Sequence, residues 1–414
     1  MIRILALTDR TAARFLDREG RDAAAARVAG RIVRDVRRRG GAAVRAWSRR
    51  LDGPGRGSLR VGALELRRAA RDADPRFVRQ LRRAARNVRR VARRQLPPEW
   101  TVTVEAGVRV SQRVRPLESV GCYVPAGRYP LVSTLVMTVV PAQVAGVRRI
   151  VLACPRPSPE LLAAAAELGV GEVWRVGGAQ AIAALAYGAG PIAPVDKIVG
   201  PGNRFVAAAK RLVAADVPID MVAGPTEVLV LAARGEARFI AADLVAQAEH
   251  DPDAVALLVT PSRALARRVA IEVERQLGAL PHTNPAARAL RSRGAILVAR
   301  GLEDAVRFAH RFAPEHLSLP EGRAILDRND VAGSIFLGPF SAQSAGDFAT
   351  GSNHSLPTGG FARRRGGLSA ADFVRCVSVQ EVTRAGLRRL APVVRAFAAA
   401  EGLAAHRRAV EVRL

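Results

Sequence analysis

The stretch "VRRIVLACPRPSPELLAAAAELGVGEVWRV", Val147–Val176, decides the fold. It opens on "RRIVLACP", a short apolar run rich in β-branched residues, which reads as a buried strand. Ser158 offers an N-cap oxygen, and Pro159 fits the first helical turn, where its missing N–H costs nothing. The Ala/Leu run behind them reads as a helix that Gly169 stops. "EVWRV" is a second strand. A strand, a helix and a strand in this order form a crossover unit, the connection that parallel strands require.

The same grammar continues toward the C-terminus. "GGAQAIAALAYG", "RFVAAAKRLV", "ARFIAADLVAQAEH", "ALARRVAIEVERQL" and "LEDAVRFAHRF" read as helices. They alternate with the strands "DKIV", "EVLVLA", "AVALLV" and "GAILVA". The class is α/β with parallel sheet, and the number of units suits two sheets better than one. Residues 1 to about 98 read as helices with Arg-rich outer faces, punctuated at Gly40–Gly41, Asp52–Gly55 and Pro97–Pro98. Extended character begins at "TVTVEAGVRVSQRV", and helix returns after about Gly366, through "AADFVRCVSVQEVTRAGLRRL".

The net charge of +28 suggests a nucleic-acid partner, but its make-up argues otherwise. Of 65 basic residues only Lys197 and Lys210 are lysine, the signature of a GC-rich genome. Aromatic residues are 4% of the chain, so stacking platforms are scarce. The reading is a solvated basic face and no specific nucleic-acid site. No apolar run reaches the ~18 residues of a membrane helix. Cys122, Cys154 and Cys376 show no CxxC spacing and read as reduced thiols of a cytoplasmic protein.

The α/β region has no GxGxxG and no GxxxxGK[ST]. Its Gly-rich turns, "VGGAQ" and "GPGN", fall where strands end and helices start, the usual ligand edge of such sheets. Four of the six histidines stand in polar company: His250 in "QAEHDP", His316 in "FAPEHL", His354 in "GSNHS" and His406 after Glu401. His282 and His310 have none. Gln247 and His250 are three apart and share a face if the helix includes both. Imidazole and carboxylate are zinc ligands, and an amide oxygen could join them with stronger partners such as Asp347. Glu315 beside His316 offers a carboxylate and a base suited to neutral pH. HExxH and GxSxG are absent, which disfavours zincin and α/β-hydrolase chemistry.

Taken in order, these blocks resemble the histidinol dehydrogenase family: "YVPAGRYPLVSTLVMTVVPAQVAGV", "VGGAQAIAALAYG", "VDKIVGPGNRFVAAAK", "DMVAGPTEVLV", "DLVAQAEHDP", "FAPEHL", "AGSIFLGPFSAQSAGDFATGSNHSLPT" and "AAAEGLAAH". The resemblance implies oxidation of L-histidinol through L-histidinaldehyde to L-histidine with two NAD, the last step of histidine biosynthesis. It implies one zinc per subunit and a homodimer with shared active sites. Gln247, His250, Asp347 and His406 resemble the zinc ligands, His406 coming from the other subunit. Glu315 and His316 resemble the catalytic pair. Thr226, Gln247, His250, His316, Asp347, Glu401 and His406 resemble the substrate shell, and Tyr123, Gln180 and Asn203 the NAD contacts. The implied architecture is two Rossmann-like domains with small helical segments at both ends. Residues 1–22 form the N-terminal helical segment, 23–121 with 228–364 the first domain, 122–227 the inserted second domain and 365–414 the C-terminal helical segment. Two positions depart from the family: Ala126 stands where Gly is usual, and Thr226 where Ser is usual. A related zinc and NAD enzyme acting on another small alcohol is the alternative.

Overall fold

The structure is a computed structural model and describes residues 2–18, 22–53, 58–126 and 131–414. The end of the expected Asp52–Gly55 turn and part of the Tyr123 block lie outside the described residues. Along the chain run β1 (Arg3–Ala6), β2 (Trp100–Glu105), β3 (Val108–Pro116), β4 (Ser119–Tyr123), β5 (Arg149–Ala153), β6 (Glu172–Trp174) and β7 (Lys197–Val199). There follow β8 (Glu227–Leu231), β9 (Val255–Thr260), β10 (Ala295–Val298), β11 (His316–Leu319), β12 (Ser334–Leu337) and β13 (Val374–Val382). They form a six-stranded parallel sheet in the order β1-β10-β9-β8-β11-β12 and a four-stranded parallel sheet β6-β5-β4-β7. The third sheet, β13-β3-β2, is antiparallel.

Strands β8 and β9 are buried along their whole length, which is why they read as unbroken apolar runs. Alternation sorts their side chains. Val228, Val230, Ala256 and Leu258 meet the helices Ala237–Ala248 and Arg263–Gly278, while Leu229, Leu231, Leu257 and Val259 meet Asp9–Leu16 and Leu302–Phe312. The Val147–Val176 unit folds as read: Ser158 caps the helix Pro159–Glu167 and accepts from Leu161 N.

Several expectations are corrected. Residues 1–22 are not all helical, because Arg3–Ala6 is an edge strand paired with β10. Residues 23–95 do not pack on the larger sheet. The apolar stripe Ala25, Ala29, Ile32, Val36 is buried with Ile182 and Val206, and Leu81, Ala85, Val88 with Leu135 and Leu161. Both groups close the layers over the four-stranded sheet, so chain order does not give the packing partner. The expected boundary at 121/122 also falls inside β4. The C-terminal segment is not wholly helical: "VRCVSVQEV" pairs with β3 over its full length, its β-branched residues suiting a pleated surface.

The "GPGN" loop at the end of β7 shows how local chemistry fixes a turn. Gly200 has φ +114°, and a Cβ there would strike the Tyr123 carbonyl oxygen. Asp220 Oδ2 accepts from Gly200 N at 2.8 Å, and Lys210 Nζ donates to Gly200 O at 2.8 Å and to Asp220 Oδ1. The ion pair is almost wholly buried. Removing one partner strands the other charge, so Lys210→Met should lower the unfolding free energy by about 3–5 kcal/mol. Urea denaturation checks this, and an unchanged midpoint would mean that the pair does not hold the loop.

Candidate functional site

The site is built at the amino ends of β8 and β11. The parallel register sets His316 opposite Val228 and so brings Glu315 beside Glu227. Ala313 precedes this pair with φ +47°, a left-handed turn that a non-glycine residue adopts at some cost. It ends the helix Leu302–Phe312 and turns the chain through Pro314 into β11.

Glu315 and His316 are both buried. Glu315 Oε2 accepts from Thr226 Oγ1 at 2.6 Å and from Glu227 N at 2.7 Å. His316 Nδ1 lies 3.0 Å from Glu227 O, a carbonyl that can only accept, so this nitrogen carries a proton. Its Nε2 is buried without a hydrogen-bond partner, 3.6 Å from Asp347 Oδ1. Burial disfavours the charged imidazole, but Glu315 and Asp347 outweigh it and push the His316 pKa up to about 10. Asp347 in turn is held below the usual carboxylate range: burial opposes this, and His316, His354 and His250 overcome it. The His316 ring packs against Phe336 with centroids 5.9 Å apart.

Gln247, wholly buried, joins the same group. Its Nε2 donates to Thr226 Oγ1, and its Oε1 accepts from Gln343 Nε2 at 2.5 Å. Gln343 opens the helix Gln343–Phe348, which carries Asp347. A line of polar contacts thus runs from Gln343 through Gln247, Thr226, Glu315 and His316 to Asp347. His354 sits beneath it, Nδ1 3.0 Å from Asp347 O, with its pKa lowered chiefly by burial.

His250 is less tightly placed than expected. The helix ends at Ala248, ahead of Asp251–Pro252, so Gln247 and His250 do not share a regular helical face. His250 is exposed, yet close enough to help hold Asp347 ionised. Glu401 and His406 are exposed at the C-terminal helices, with Gly402 (φ +72°) breaking the chain between them. Among the described residues, no hydrogen bond or ion pair joins either to the group around His316. No cluster of three or more His, Cys, Asp or Glu side chains forms a metal site among the described residues.

The residues expected to meet a dinucleotide gather at the carboxyl ends of the four-stranded sheet. Tyr123 OH accepts from Gly178 N at 3.1 Å, and Gln180 Nε2 donates to Asp52 Oδ2 at 3.1 Å. Asn203 caps the helix Arg204–Val213, accepting from Phe205 N and Val206 N. Ala126 O accepts from Arg156 Nη2 at 3.2 Å.

Five participants escaped the sequence reading. Arg18 pairs with the buried Glu227 at 2.7 Å and lies over the Phe312 ring. Asp52 accepts from Gly177 N, and burial raises its pKa. Asp243 has its pKa pushed up to about 6 by burial, against the opposing influence of Ser318 and the Gln343 backbone. Gln343 is the fifth. Helical spacing was an available signal for Asp243 and Gln343, which stand four residues before Gln247 and Asp347.

Fold and site together define an α/β enzyme with a buried carboxylate–imidazole pair at the amino ends of two strands of its six-stranded parallel sheet. The sequence model of the histidinol dehydrogenase family matches residues 17–414. The histidinol dehydrogenase of Geobacillus kaustophilus is 48% identical over 394 residues, covering 92% of both chains. That of Moorella thermoacetica is 46% identical over 415 residues, covering 98% of this chain and 97% of its own. The crystal structure of histidinol dehydrogenase from Elizabethkingia anophelis superposes with a TM-score of 0.94 at 33% identity, covering 100% of this chain and 98% of that one. The chain belongs to the histidinol dehydrogenase family, NAD-dependent oxidoreductases that catalyse the final step of histidine biosynthesis.

The raised His316 pKa fixes the sign of a pH effect. Its contribution to stability is complete below the unfolded value of 6.5 and is lost as pH climbs toward 10. Chelator-treated protein should therefore lose unfolding free energy between neutral pH and about pH 10. His316→Gln should flatten that decline in urea titrations; an equally steep decline in the variant would remove His316 as its source.

Proposed function

We propose that the chain oxidises L-histidinol to L-histidine in the cytoplasm as a zinc-containing homodimer that uses two NAD per turnover. The observation that carries this reading is the His316 imidazole: buried, fixed by its Nδ1 contact to Glu227 O, with Nε2 left unpartnered. A base must present a free lone pair at a defined atom, and Nε2 is that atom in the neutral form.

The donor chemistry of Gln247, His250 and Asp347, completed by His406 of the partner subunit, suits zinc. Zinc there would serve as a template for the substrate's imidazole and amine. Engagement of Asp347 as a ligand would also withdraw one of the two carboxylates that keep His316 protonated. Tyr123, Gln180 and Asn203 would hold NAD, which would supply the hydride acceptor.

His316 Nε2 takes the alcohol proton as the hydride leaves, giving the aldehyde. Glu315 then assists a water in adding to the aldehyde carbonyl, and His316 serves again as base in oxidation of the hydrate. Thr226, Asp347 and Glu401 of the partner subunit complete the substrate shell.

The third sheet supports the dimer. Register places Trp100, Val102, Val110, Val114 and Cys376 on one face, and Trp100 and Val102 are 45% and 47% exposed. Val393 and Phe397 of the helix Arg384–Ala400 are exposed as well. The apolar side chains of the sheet share their face with Gln112, Ser378 and Gln380, and their exposure calls for cover. Strand β13 leads along the chain into that helix and on to Glu401 and His406, which do not reach the site of their own chain. No helix among the described residues is long and apolar enough to cross a membrane.

The test is NADH released per L-histidinol. Two are expected, lost on zinc removal and restored by zinc. One would mean that the aldehyde escapes and would count against Glu315's role. None, from folded zinc-loaded protein, would favour another small alcohol as substrate. Subunit sharing has its own test. His316→Asn and His406→Asn homodimers should each be inactive, by ~10²–10⁴-fold for the lost base. Their mixed dimers should recover one intact site, and inactive mixed dimers would point to a site within one chain.

A further inference from the structure

A primary amide has one accepting end and one donating end, so a buried glutamine that is to offer its oxygen to a cation must be held one way round. The direction can be read here from the backbone outward. Glu227 N–H donates to Glu315 Oε2 at 2.7 Å, which makes that oxygen an acceptor. Thr226 Oγ1, 2.6 Å from the same oxygen, therefore spends its single hydrogen on it. What the hydroxyl has left is lone pairs, and these face the Nε2 end of Gln247. The Oε1 end then points to Gln343, whose Nε2 donates to it at 2.5 Å.

Gln343 is itself held. It is 1% exposed, at the start of the helix Gln343–Phe348. Its own carbonyl oxygen is buried without a partner, so its donating end alone serves the network. One hydrogen bond leaves a carbonyl oxygen a second lone pair, so Gln247 Oε1 can accept from Gln343 and still coordinate a cation.

We propose that Thr226 and Gln343 are positioning residues that lock the Gln247 amide with its oxygen available as a metal ligand. One line of one-way hydrogen bonds thereby sets both that ligand and the catalytic carboxylate Glu315. The Thr226 hydroxyl acts through its two ends at once, donating to Glu315 and accepting from Gln247. The inference rests on the reading of Gln247 as a ligand.

Zinc affinity of the full-length protein, measured by competition with a chromophoric chelator, tests it without recourse to turnover. Circular dichroism shows that each variant is folded. Gln343→Leu removes the donor to Oε1, and the near-isosteric Thr226→Val removes the acceptor for Nε2. Each should weaken zinc binding ~10–100-fold. Thr226→Ser keeps the hydroxyl and should keep the parent affinity. Parent affinity in either Thr226→Val or Gln343→Leu, with Gln247→Ala weakened, would overturn the proposal. Parent affinity in Gln247→Ala would instead overturn the ligand assignment, and the proposal with it.

Discussion

The backbone of Glu227 holds two neighbouring side chains where β11 begins, Glu315 and His316. Its N–H donates to Glu315 Oε2 and its carbonyl faces His316 Nδ1. Neither contact would exist without the parallel pairing of β8 and β11 in this register. A shift by one residue would turn His316 to the opposite face and replace it with Leu317 or Glu315. The Glu227 side chain is drawn into the same arrangement. It is buried, its pKa is raised chiefly by that burial, and Arg18 and Gly359 N supply its partners. Three carboxylates, Glu227, Glu315 and Asp347, thus share one low-dielectric region with Arg18 and the His316 imidazole. Buried carboxylates persist only where cations and N–H donors compensate them. That is why an arginine from the N-terminal segment and a histidine from mid-chain meet there.

The two parallel sheets contribute opposite ends. Ligands of open α/β sheets ordinarily lie beyond the carboxyl ends of the strands. In the four-stranded sheet Tyr123 closes β4, and Gly178 and Asn203 follow β6 and β7, the ends to which this rule points. The six-stranded sheet reverses it, since Thr226, Glu315 and His316 lie at the amino ends of β8 and β11. The helix Val132–Ala145, which follows β4, bridges the two. Its Met137 carbonyl accepts from Asn353 Nδ2, and its Thr134 hydroxyl lies 3.4 Å from His354 Nε2. His354 therefore joins the small sheet's helical layer to the backbone of Asp347, a connection that no motif announces.

What was legible in the sequence follows the range of the interactions. Strands buried on both faces and helices with their own caps are local facts, so β5, β8, β9 and the Ser158 cap could be read directly. Strand β1 is four residues long and owes its conformation to β10, almost three hundred residues away. Strand β13 sits between helices and depends on β3 in the same way. At the site, Glu315–His316 is visible because the two residues are adjacent. Gln343 and Asp243 are visible only as i, i+4 companions of residues already singled out, and Glu227 acts through its backbone, which leaves no side-chain signature. Glu401 and His406 are exposed on the C-terminal helices, and nothing in their own neighbourhood links them to the group around His316.

The missing dinucleotide fingerprint has a physical counterpart at the helix Gly178–Tyr187. In a glycine-rich phosphate loop the free N–H groups of a helix start receive the pyrophosphate. Here Gly177 N donates to Asp52 Oδ2 at 3.2 Å and Gly178 N donates to Tyr123 OH at 3.1 Å. A half-buried carboxylate thus stands where a phosphate would otherwise sit, and its charge repels a second anion. Gly177 cannot open the turn further, since a Cβ there would strike Pro155 and Asp52. The same carboxylate fixes the Gln180 amide by accepting from Nε2, leaving Gln180 Oε1 buried and without a partner. The strand-to-helix turn that ordinarily binds phosphate is therefore spent on the protein's own side chains. The oriented groups left at this sheet are Gln180, set by the Asp52 carboxylate, and Asn203, set by the backbone N–H groups of Phe205 and Val206.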